Sequence, residues 1–555
     1  MKENNKHEQR QATASMNKGS AWMTVGTFAS RILGLLYIIP WMRWMGDPQT
    51  ANEANALFDV GYRFYAIFLG ISVAGVPSAI AKQIAFYNAR QEFQTSRKLY
   101  RHAVFLMAAM GVISGLVLYA LAPLFAATTP VRHTADAVLT IRSLVPALMV
   151  FPLLSIFRGY FQGHQDMRPS AISQIMEQLF RVIYILGSVY LIRQVQGGTL
   201  VNAVVHSTLG AFVGALVAII TLGLIYWRHR AEYQPTEPDL SRSDISTGHL
   251  FKEIITVAIP FIVTGTGIEI TQLIDTNTYM PIIRYVGHLS EAQAIDQYGI
   301  FMANVNKLIT VVVSLGLAIS ATALPVLSGL YAGEEGITTK IPFPKTSELV
   351  QHIYQLFLMV LAPVCIGLAI LAGPVYGLVF RPDPLGTTFL RFGCVIAFLL
   401  GAYAVHASML QALGKHRQAI LGLVLGLLIK LAWQFPLIQA FATRGAMGAT
   451  ILSFTVVNVF YMLALRRQLQ YAVLDLWQAV KPIILSALLM GLVGFGLNAL
   501  FNVLLSDPNL KGQALQMLVI ILTCVWLYGL LLLRFERLDL LLGDKAEKLR
   551  EILDL

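Results

Sequence analysis

Long apolar runs separated by short polar segments form the main pattern along this chain. A helix needs roughly 20 apolar residues to cross the hydrocarbon core of a bilayer, and fourteen runs approach that length. The pattern therefore predicts an all-α polytopic membrane protein with about fourteen transmembrane helices. The runs begin near Ser20, Tyr62, Leu99, Ala137, Ala171, Val201, Ile254, Gly299, Val350, Thr388, Ala419, Ala446, Ile483 and Gln516.

Composition supports the same class. Of the 555 residues, 56% are hydrophobic and 13% are charged, whereas soluble domains carry roughly 25% charged residues. A soluble enzyme, a disordered chain and a disulfide scaffold are excluded. The 41 basic residues exceed the 30 acidic ones, but they form short clusters without interleaved aromatic residues, so nucleic-acid binding is not expected. The three cysteines lie in apolar runs without metal or disulfide spacing.

The distribution of lysine and arginine predicts the orientation. Clusters such as Arg97 with Lys98 and Arg466 with Arg467 fall in alternate connections and in the C-terminal tail, while the other connections hold mostly single basic residues. Basic residues concentrate on the cytoplasmic side, so both termini are predicted to be cytoplasmic. The polar first nineteen residues lack the features of a signal peptide, so we expect the first helix to be retained.

The two halves of the chain resemble each other at an offset of about 250 residues. An even number of helices per repeat gives both copies the same sense across the membrane, which predicts two six-helix lobes in parallel repeat plus two extra C-terminal helices. The matched pairs are Pro77 with Pro325, His102 with His352, Pro123 with Pro374, Gln162 with Gln411, and Arg168 with Arg417. The predicted boundaries are 1–19 for a cytoplasmic tail, 20–227 for the N-lobe, 228–253 for a cytoplasmic linker, 254–467 for the C-lobe, 468–534 for helices thirteen and fourteen, and 535–555 for a second cytoplasmic tail.

Charges within the apolar runs are candidates for a substrate site, because a charge inside a membrane is costly. A polar stripe ending in Arg31 shares one face of the first helix, and a similar stripe surrounds Lys307 in the eighth. We interpret both as walls of a water-filled cavity; the alternatives are a structural arginine and a lysine that snorkels to the interface. The stripes consist of Ser20, Thr24, Thr27 and Arg31, and of Asn304, Lys307, Thr310 and Ser314.

Other intramembrane charges have local explanations. Arg63 follows Asp59 by four residues, so an ordinary helical ion pair is as plausible there as a binding role. Arg181 follows Glu177 by four, and we predict a structural pair within that helix. The sequence indicates no partner for Arg142 or Lys430.

The seventh helix carries a broad polar arc. Acids in a membrane can relay protons or bind ions, and they can equally serve as counter-ions for basic residues of a cavity. The sequence leaves these roles open. The arc consists of Glu269, Gln272, Asp275 and Thr276.

Three motifs resemble those of the multidrug/oligosaccharidyl-lipid/polysaccharide exporter superfamily, and specifically its YtgP/SpoVB-like branch of MurJ-type lipid II flippases. They are SRILG at 30–34, RGYFQG at 158–163 followed by RPSAISQ, and ITQLIDT at 270–276. The resemblance, which covers essentially the whole chain, implies translocation of undecaprenyl-pyrophosphate-linked peptidoglycan precursor (lipid II) across the bacterial cytoplasmic membrane by alternating access. It implies a central cationic cavity and a groove for the lipid tail at the last two helices. It implies no enzymatic chemistry and no cofactor; a membrane potential or ion gradient could supply the energy.

The resemblance also implies a binding site for the headgroup. Arg31 matches an arginine of the first-helix motif, Arg63 approximately matches one in the second helix, and Lys307 or the adjacent Asn306 matches a basic position in the eighth. Tyr37 replaces a further arginine of some members. Pyrophosphate suits such charged donors. The predicted substrate-binding residues are Arg31, Arg63, Lys307, Thr24, Thr27, Asn304 and Asn306, and the coupling or counter-ion candidates are Glu269, Asp275 and Gln272.

Two transport functions remain as alternatives. A MATE-like drug/cation antiporter would use Asp275 or Glu269 as its coupling acid, but the basic residues of the predicted cavity would repel a cation. An exporter of another lipid-linked polysaccharide precursor would fit the same cavity. A membrane enzyme is disfavoured because the external loops are short. The expected partners are a lipid-linked oligosaccharide and the bilayer, and we expect the protein to act as a monomer.

The orientation is testable with single cysteines placed at Asp239, in the linker, and at Glu291, in a predicted external loop. We expect an impermeant thiol reagent to label Glu291→Cys but not Asp239→Cys on intact cells, because the basic clusters place the linker inside. Permeabilised cells, in which both sites should react, are the control. Labelling of Asp239→Cys alone would reverse the orientation.

Overall fold

The structure is a computed structural model, and it describes most of the chain. Within the described part every regular element is a helix, as predicted, and no strand occurs. The described residues are 22–23, 25–26, 29–30, 33–34, 37–46, 48–73, 76–127, 133–233, 238–239, 259–260, 262–287, 289–290, 293–294, 297, 300–334, 343–379, 382–470, 473–504 and 510–553.

Nineteen α-helices have both ends within these ranges, with two π-helical segments, Tyr190–Val195 and Ile300–Val305, and a 3-10 turn at Arg230–Tyr233. The α-helices are α1 (Ile38–Met45), α2 (Pro48–Val73), α3 (Val76–Ala89), α4 (Phe93–Ala127), α5 (Thr134–Ser143), α6 (Val145–Gly163), α7 (Arg168–Val189), α8 (Leu200–His229), α9 (Gly267–Val286), α10 (Asn306–Glu334), α11 (Pro344–Ile370), α12 (Ala372–Val379), α13 (Pro384–Ala412), α14 (His416–Phe441), α15 (Thr443–Leu469), α16 (Val473–Leu504), α17 (Leu510–Arg534), α18 (Asp539–Leu542) and α19 (Asp544–Leu553).

Eleven helices of the described chain are long and apolar enough to cross a membrane. They correspond to eleven of the fourteen predicted spans. The other three predicted spans fall on α1 with the residues before it, on α2, and on α9 with the residues before it. The second span begins earlier than predicted, since α2 starts at Pro48 and not near Tyr62.

The chain divides into two compact units. One, here called the N-terminal unit, contains Trp22–Thr266 and Leu324–Gly333; the C-terminal unit contains Gly267–Ala323 and Glu334–Leu555. In the first, α4 packs on α6 and α7 on α8; in the second, α11 packs on α13 and α14 on α15. These are equivalent helices under the predicted duplication. In the C-terminal unit, α16 packs against both α11 and α17.

Each unit has its own apolar core. In the N-terminal unit, buried residues of α1, α2 and α4 to α8 form one cluster, and the indole of Trp41 in it donates a hydrogen bond to the hydroxyl of Ser207 over 3.0 Å. In the C-terminal unit, Ile483 and Met490 of α16 pack with Ile520 of α17 and Met359 of α11. Burial of a side chain of this kind contributes about 1.5–3 kcal/mol when the reference is water; in a bilayer, close packing matters more.

The glycines of the RGYFQG motif allow α6 to lie unusually close to α3. A Cβ atom added at Gly159 would lie 2.9 Å from the carbonyl oxygen of Pro77, and one added at Gly163 would lie 2.7 Å from Cβ of Ile84. Such distances leave no room for a side chain. Small residues that bring helix backbones together are a common device of membrane helix packing, so the two glycines have a packing reason.

The turn after this motif is held by a polar cluster outside the apolar runs. Arg168 pairs with Asp166 at 3.0 Å, and the hydroxyl of Tyr233, at the end of the sixth span, donates to the same carboxylate over 2.8 Å. Although burial opposes ionisation, these hydrogen bonds hold the pKa of Asp166 below its usual range. The cluster joins the 164–167 turn to the segment that leads into the predicted linker. There, Asp239 accepts a hydrogen bond from the backbone N–H of Phe93 over 3.1 Å.

We expect Gly159→Ala to destabilise the protein by about 1–3 kcal/mol, because the added methyl group meets the backbone of α3. The measurement is the midpoint of thermal unfolding of the purified protein in detergent. Gly187→Ala is the matched control: it lies in a helix of the same unit with open space around its Cβ position, so its midpoint should stay the same or rise slightly. Equal midpoints for the two variants would contradict the packing role.

Candidate functional site

The structure describes only part of the predicted headgroup site. Thr24, Thr27 and Arg31 lie outside the described residues. The backbone of Arg63 lies in α2, but its side chain is not among those that the structure describes. The site can therefore be followed on the parts of the seventh and eighth spans that belong to the C-terminal unit, within Gly267–Ala323.

The eighth span begins with a π-helical segment, Ile300–Val305, and continues as α10. The side-chain amide of Asn304 donates to the hydroxyl of the buried Tyr376 over 2.9 Å. Lys307 is exposed and forms no ion pair with a described residue. The predicted stripe assumed the periodicity of an α-helix, and a π-turn shifts this register. The side chain of Asn304 is therefore held by a hydrogen bond to Tyr376, while the side chain of Lys307 is exposed.

The seventh span separates its polar residues by environment. Glu269 is exposed. The amide of Gln272 donates to Oδ1 of Asn306 over 3.3 Å, which joins the seventh and eighth spans. Asp275 is buried, with a side chain 4% exposed. The arc therefore faces different surroundings along its length.

Asp275 forms a buried ion pair with Lys430 of α14. The ammonium lies 2.7 Å from Oδ1 of Asp275, and the Lys430 side chain is fully buried. Gln434, one turn further along α14, donates to the same oxygen over 2.8 Å. The sequence indicated no partner for Lys430, because the two charges lie on helices far apart in the chain. The one local signal is that Lys430 and Gln434, four residues apart in an apolar helix, share a face.

A small cavity lies beside this pair. Its volume of about 30 Å³ leaves room for one or two water molecules. Asp275, Gln272 and Asn306 contribute its polar lining, with Thr271 and Thr450, among apolar side chains. The cavity thus brings together three predicted site residues. They are the coupling candidates Gln272 and Asp275 and the binding residue Asn306.

A second polar cluster, half-buried, lies in the N-terminal unit and corrects one prediction. Glu177 pairs with Arg158, at 2.8 Å, and not with Arg181 as predicted. Arg158 also donates to the hydroxyl of Ser173 over 2.8 Å, so the RGYFQG motif is bound to the RPSAISQ segment that follows it. Arg181 instead donates to the hydroxyl of Tyr62 and lies 5.3 Å from the centre of its ring. The packing of α6 on α7 brings Arg158 to the carboxylate and decides the pairing.

Arg142 also has a partner that the sequence did not indicate. Its guanidinium lies 4.1 Å from the ring centre of Tyr119. Such a cation–π contact stabilises a charge without an acid. Within the described chain no group of three His, Cys, Asp or Glu side chains could hold a metal ion.

Comparison with known proteins identifies the family. Residues 16–331 match the polysaccharide biosynthesis protein family. The lipid II flippase MurJ of Bacillus subtilis (strain 168) is 31% identical over 497 residues, which cover 87% of this chain and 88% of that protein. The chain belongs to the polysaccharide biosynthesis protein family. The uncharacterized membrane protein YabM of the same organism is 26% identical over 482 residues, 85% of each chain.

Solved structures of MATE transporters share the fold of this family member. A MATE transporter in complex with MaD3S has a TM-score of 0.63 at 14% identity, covering 82% of this chain and 96% of that one. The MATE transporter VcmN from Vibrio cholerae, in its bent form, has a TM-score of 0.61 at 13% identity, covering 82% and 99%. Identities this low show the fold alone. The family match and these folds together confirm the predicted MurJ-type branch of the exporter superfamily and its two-lobe helical fold, and they make the chain a multi-pass membrane transporter rather than an enzyme.

The Lys430–Asp275 pair predicts a strong dependence of stability on charge balance. Lys430→Met leaves a buried carboxylate without its counter-charge, so we expect the free energy of unfolding to fall by about 3–5 kcal/mol. Asp275→Asn in the same background should restore most of that loss, since no buried charge then remains. The measurements are the amount of folded protein in membranes and the midpoint of thermal unfolding.

Arg168→Met, which removes one partner of the more exposed pair with Asp166, is the control. The Arg168 side chain is 55% exposed, so its replacement should lower the free energy of unfolding by no more than about 1 kcal/mol. Additive losses in the Lys430→Met, Asp275→Asn double variant would contradict the coupling.

Proposed function

We propose that this protein is a flippase that translocates undecaprenyl-pyrophosphate-linked peptidoglycan precursor (lipid II) across the cytoplasmic membrane by alternating access. The observation that carries the proposal is the 31% identity that extends over 88% of a lipid II flippase. Two compact units, each with its own core, suit a mechanism in which lobes move about a central site.

The proposed headgroup site is cationic. Lys307 supports it, since this residue is exposed and no described acid pairs with it. Arg31 and Arg63, with Thr24 and Thr27, would supply the donors of the other lobe. A pyrophosphate in such a site would accept short, charge-assisted hydrogen bonds. Asn304 and Asn306 bind Tyr376 and Gln272, so we assign them to the support of the site.

The pairing of Asp275 disfavours a drug/cation antiporter. The ammonium of Lys430 neutralises this acid, which therefore offers no free charge to a cationic drug. Glu269 is exposed, and we assign it the role of counter-ion or coupling acid. The description of the matched family as polysaccharide biosynthesis proteins makes export of another lipid-linked polysaccharide precursor the second candidate.

The same proposal includes the topology predicted from the basic clusters. Both termini and the 228–253 linker would be cytoplasmic, the lobes would comprise 20–227 and 254–467, and helices thirteen and fourteen, at 468–534, would hold the lipid tail. The protein would act as a monomer on a lipid-linked oligosaccharide, driven by a membrane potential or an ion gradient.

The central test replaces the native flippase of a bacterium with this protein. Depletion of the protein should then make lipid II accumulate on the cytoplasmic leaflet.

Arg31→Ala should abolish growth while the variant protein stays at nearly normal abundance in the membrane, because the lost guanidinium binds headgroup charge. Growth of Arg31→Ala cells at the wild-type rate would remove Arg31 from the site. If depletion of the protein leaves the amount of lipid II unchanged and a different lipid-linked sugar accumulates, the second candidate function is favoured.

Lys307 separates charge from shape in the same assay. Lys307→Arg should keep much of the transport and Lys307→Gln little, since the headgroup needs a cation at this position. Arg142→Gln is the control: it removes another intramembrane cation, one whose guanidinium lies over Tyr119, and should leave transport nearly unchanged. Full transport by Lys307→Gln at normal abundance would exclude Lys307 from headgroup binding.

A further inference from the structure

The chain turns back on itself directly after α17. This helix ends at Arg534, and the backbone reverses at Glu536, whose φ of 56° lies in the left-handed region. Leu538, Leu540 and Leu541 then pack against the apolar cluster of α11, α16 and α17. The segment that contains α18 therefore lies against helices long and apolar enough to cross the membrane.

The next helix, α19, is held in the same place on one of its sides. Ala546 is fully buried, and α19 contacts both α17 and α18. The guanidinium of Arg550 lies 3.0 Å from the carboxylate of Asp539, so an ion pair joins the two short helices. Because α17 crosses the membrane, these contacts keep α19 close to the bilayer surface at which α17 ends.

The remaining surface of α19 has an apolar side and a charged side. Leu549 and Leu553 follow Ala546 at spacings of three and four residues, so the stripe that begins at the buried alanine continues into leucines. These leucines are 36% and 46% exposed. The charged side carries Glu547 and Glu551, which are also exposed. Such a division is that of an amphipathic helix.

The segments next to α19 also expose apolar side chains. Phe535, in the turn after α17, is 40% exposed, and Leu542, at the end of α18, is 39% exposed. Together with the two leucines of α19, these side chains are only partly covered by the described chain. All of them follow the end of α17 within a few helical turns of sequence.

The bilayer is the cover that fits these side chains. A stable protein–protein interface buries roughly 1,200 Å² or more, whereas four side chains that are less than half exposed offer on the order of a few hundred. The sequence of α19 contains three acidic and three basic residues, so the helix has no net charge with which to attract an anionic partner. Insertion of an apolar side at the boundary of headgroups and acyl chains needs no extended interface.

We propose that α18 and α19 form a membrane-surface element of the C-terminal unit. Leu542, Leu549 and Leu553 insert among the lipids, while Glu547 and Glu551 face water. The contact is apolar, so it requires no particular lipid headgroup and persists at high salt. The element holds the end of α17 at a fixed depth in the bilayer.

The test places a bimane fluorophore on a single cysteine at Leu549 or Glu547 of purified protein in phosphatidylcholine vesicles. The buried Cys365, Cys394 and Cys524 are replaced by alanine in both variants. We expect brominated acyl chains to quench the label of Leu549→Cys about twofold more strongly than that of Glu547→Cys, because only the leucine side faces lipid. Aqueous iodide should quench the two labels in the opposite order.

High sodium chloride should leave the quenching by lipid unchanged, since screening acts on charges and not on apolar contacts. Leu553→Cys lies on the same side and should behave like Leu549→Cys, which excludes a local disturbance by one label. If the alanine background does not fold, the native cysteines are kept, and the unsubstituted protein treated with the same reagent is the blank.

Three outcomes would overturn the proposal. Iodide quenching that is as strong at Leu549 and Leu553 as at Glu547 would show that the leucines stand in water. Leucine labels shielded from both quenchers would show that a second copy or another part of the chain covers them. Quenching by lipid that is lost at high salt would show a contact made by charge.

Discussion

Because the interior of a bilayer offers no hydrogen-bond partners, the backbone N–H and C=O groups of a crossing segment must be satisfied within that segment. The all-helical character of the described chain follows from this constraint. Between the helices the hydrophobic effect is weak, so association depends on close contact. The RGYFQG motif shows how: Gly159 and Gly163 let the backbone of α6 approach α3 to distances that exclude any side chain.

The same constraint sorts the intramembrane charges. Most have a partner: Lys430 has Asp275, Arg158 has Glu177, Arg181 has the hydroxyl and ring of Tyr62. A fully buried pair such as Lys430 with Asp275 adds little net stability, but loss of either partner alone is costly. Lys307 differs because it is exposed and no described acid pairs with it. A cation that no described acid neutralises is available to an anionic substrate, and this contrast is the reason that we propose Lys307 for the headgroup site.

The π-helical segment at Ile300–Val305 has a specific consequence for the predicted site. Its wider turn changes the phase between Asn304 and Lys307, so one amide binds Tyr376 while the ammonium three residues later remains open. A stripe drawn with α-helical periodicity places both on one wall. Segments of this kind recur at functional sites, and here the segment lies directly beside the cavity lined by Asp275 and Asn306.

Hydropathy and motifs are local properties, and so the sequence alone determined the helical class, the approximate number and order of the spans, and the superfamily. Ion pairing is not local. The partner of Lys430 lies on a helix 155 residues away in the chain, and Arg158, not the nearby Arg181, binds Glu177. Residue spacing can indicate an ion-pair partner only on the same helix. The basic residue that reaches a given carboxylate depends instead on which helices pack against it. Only the tertiary structure decided these partners.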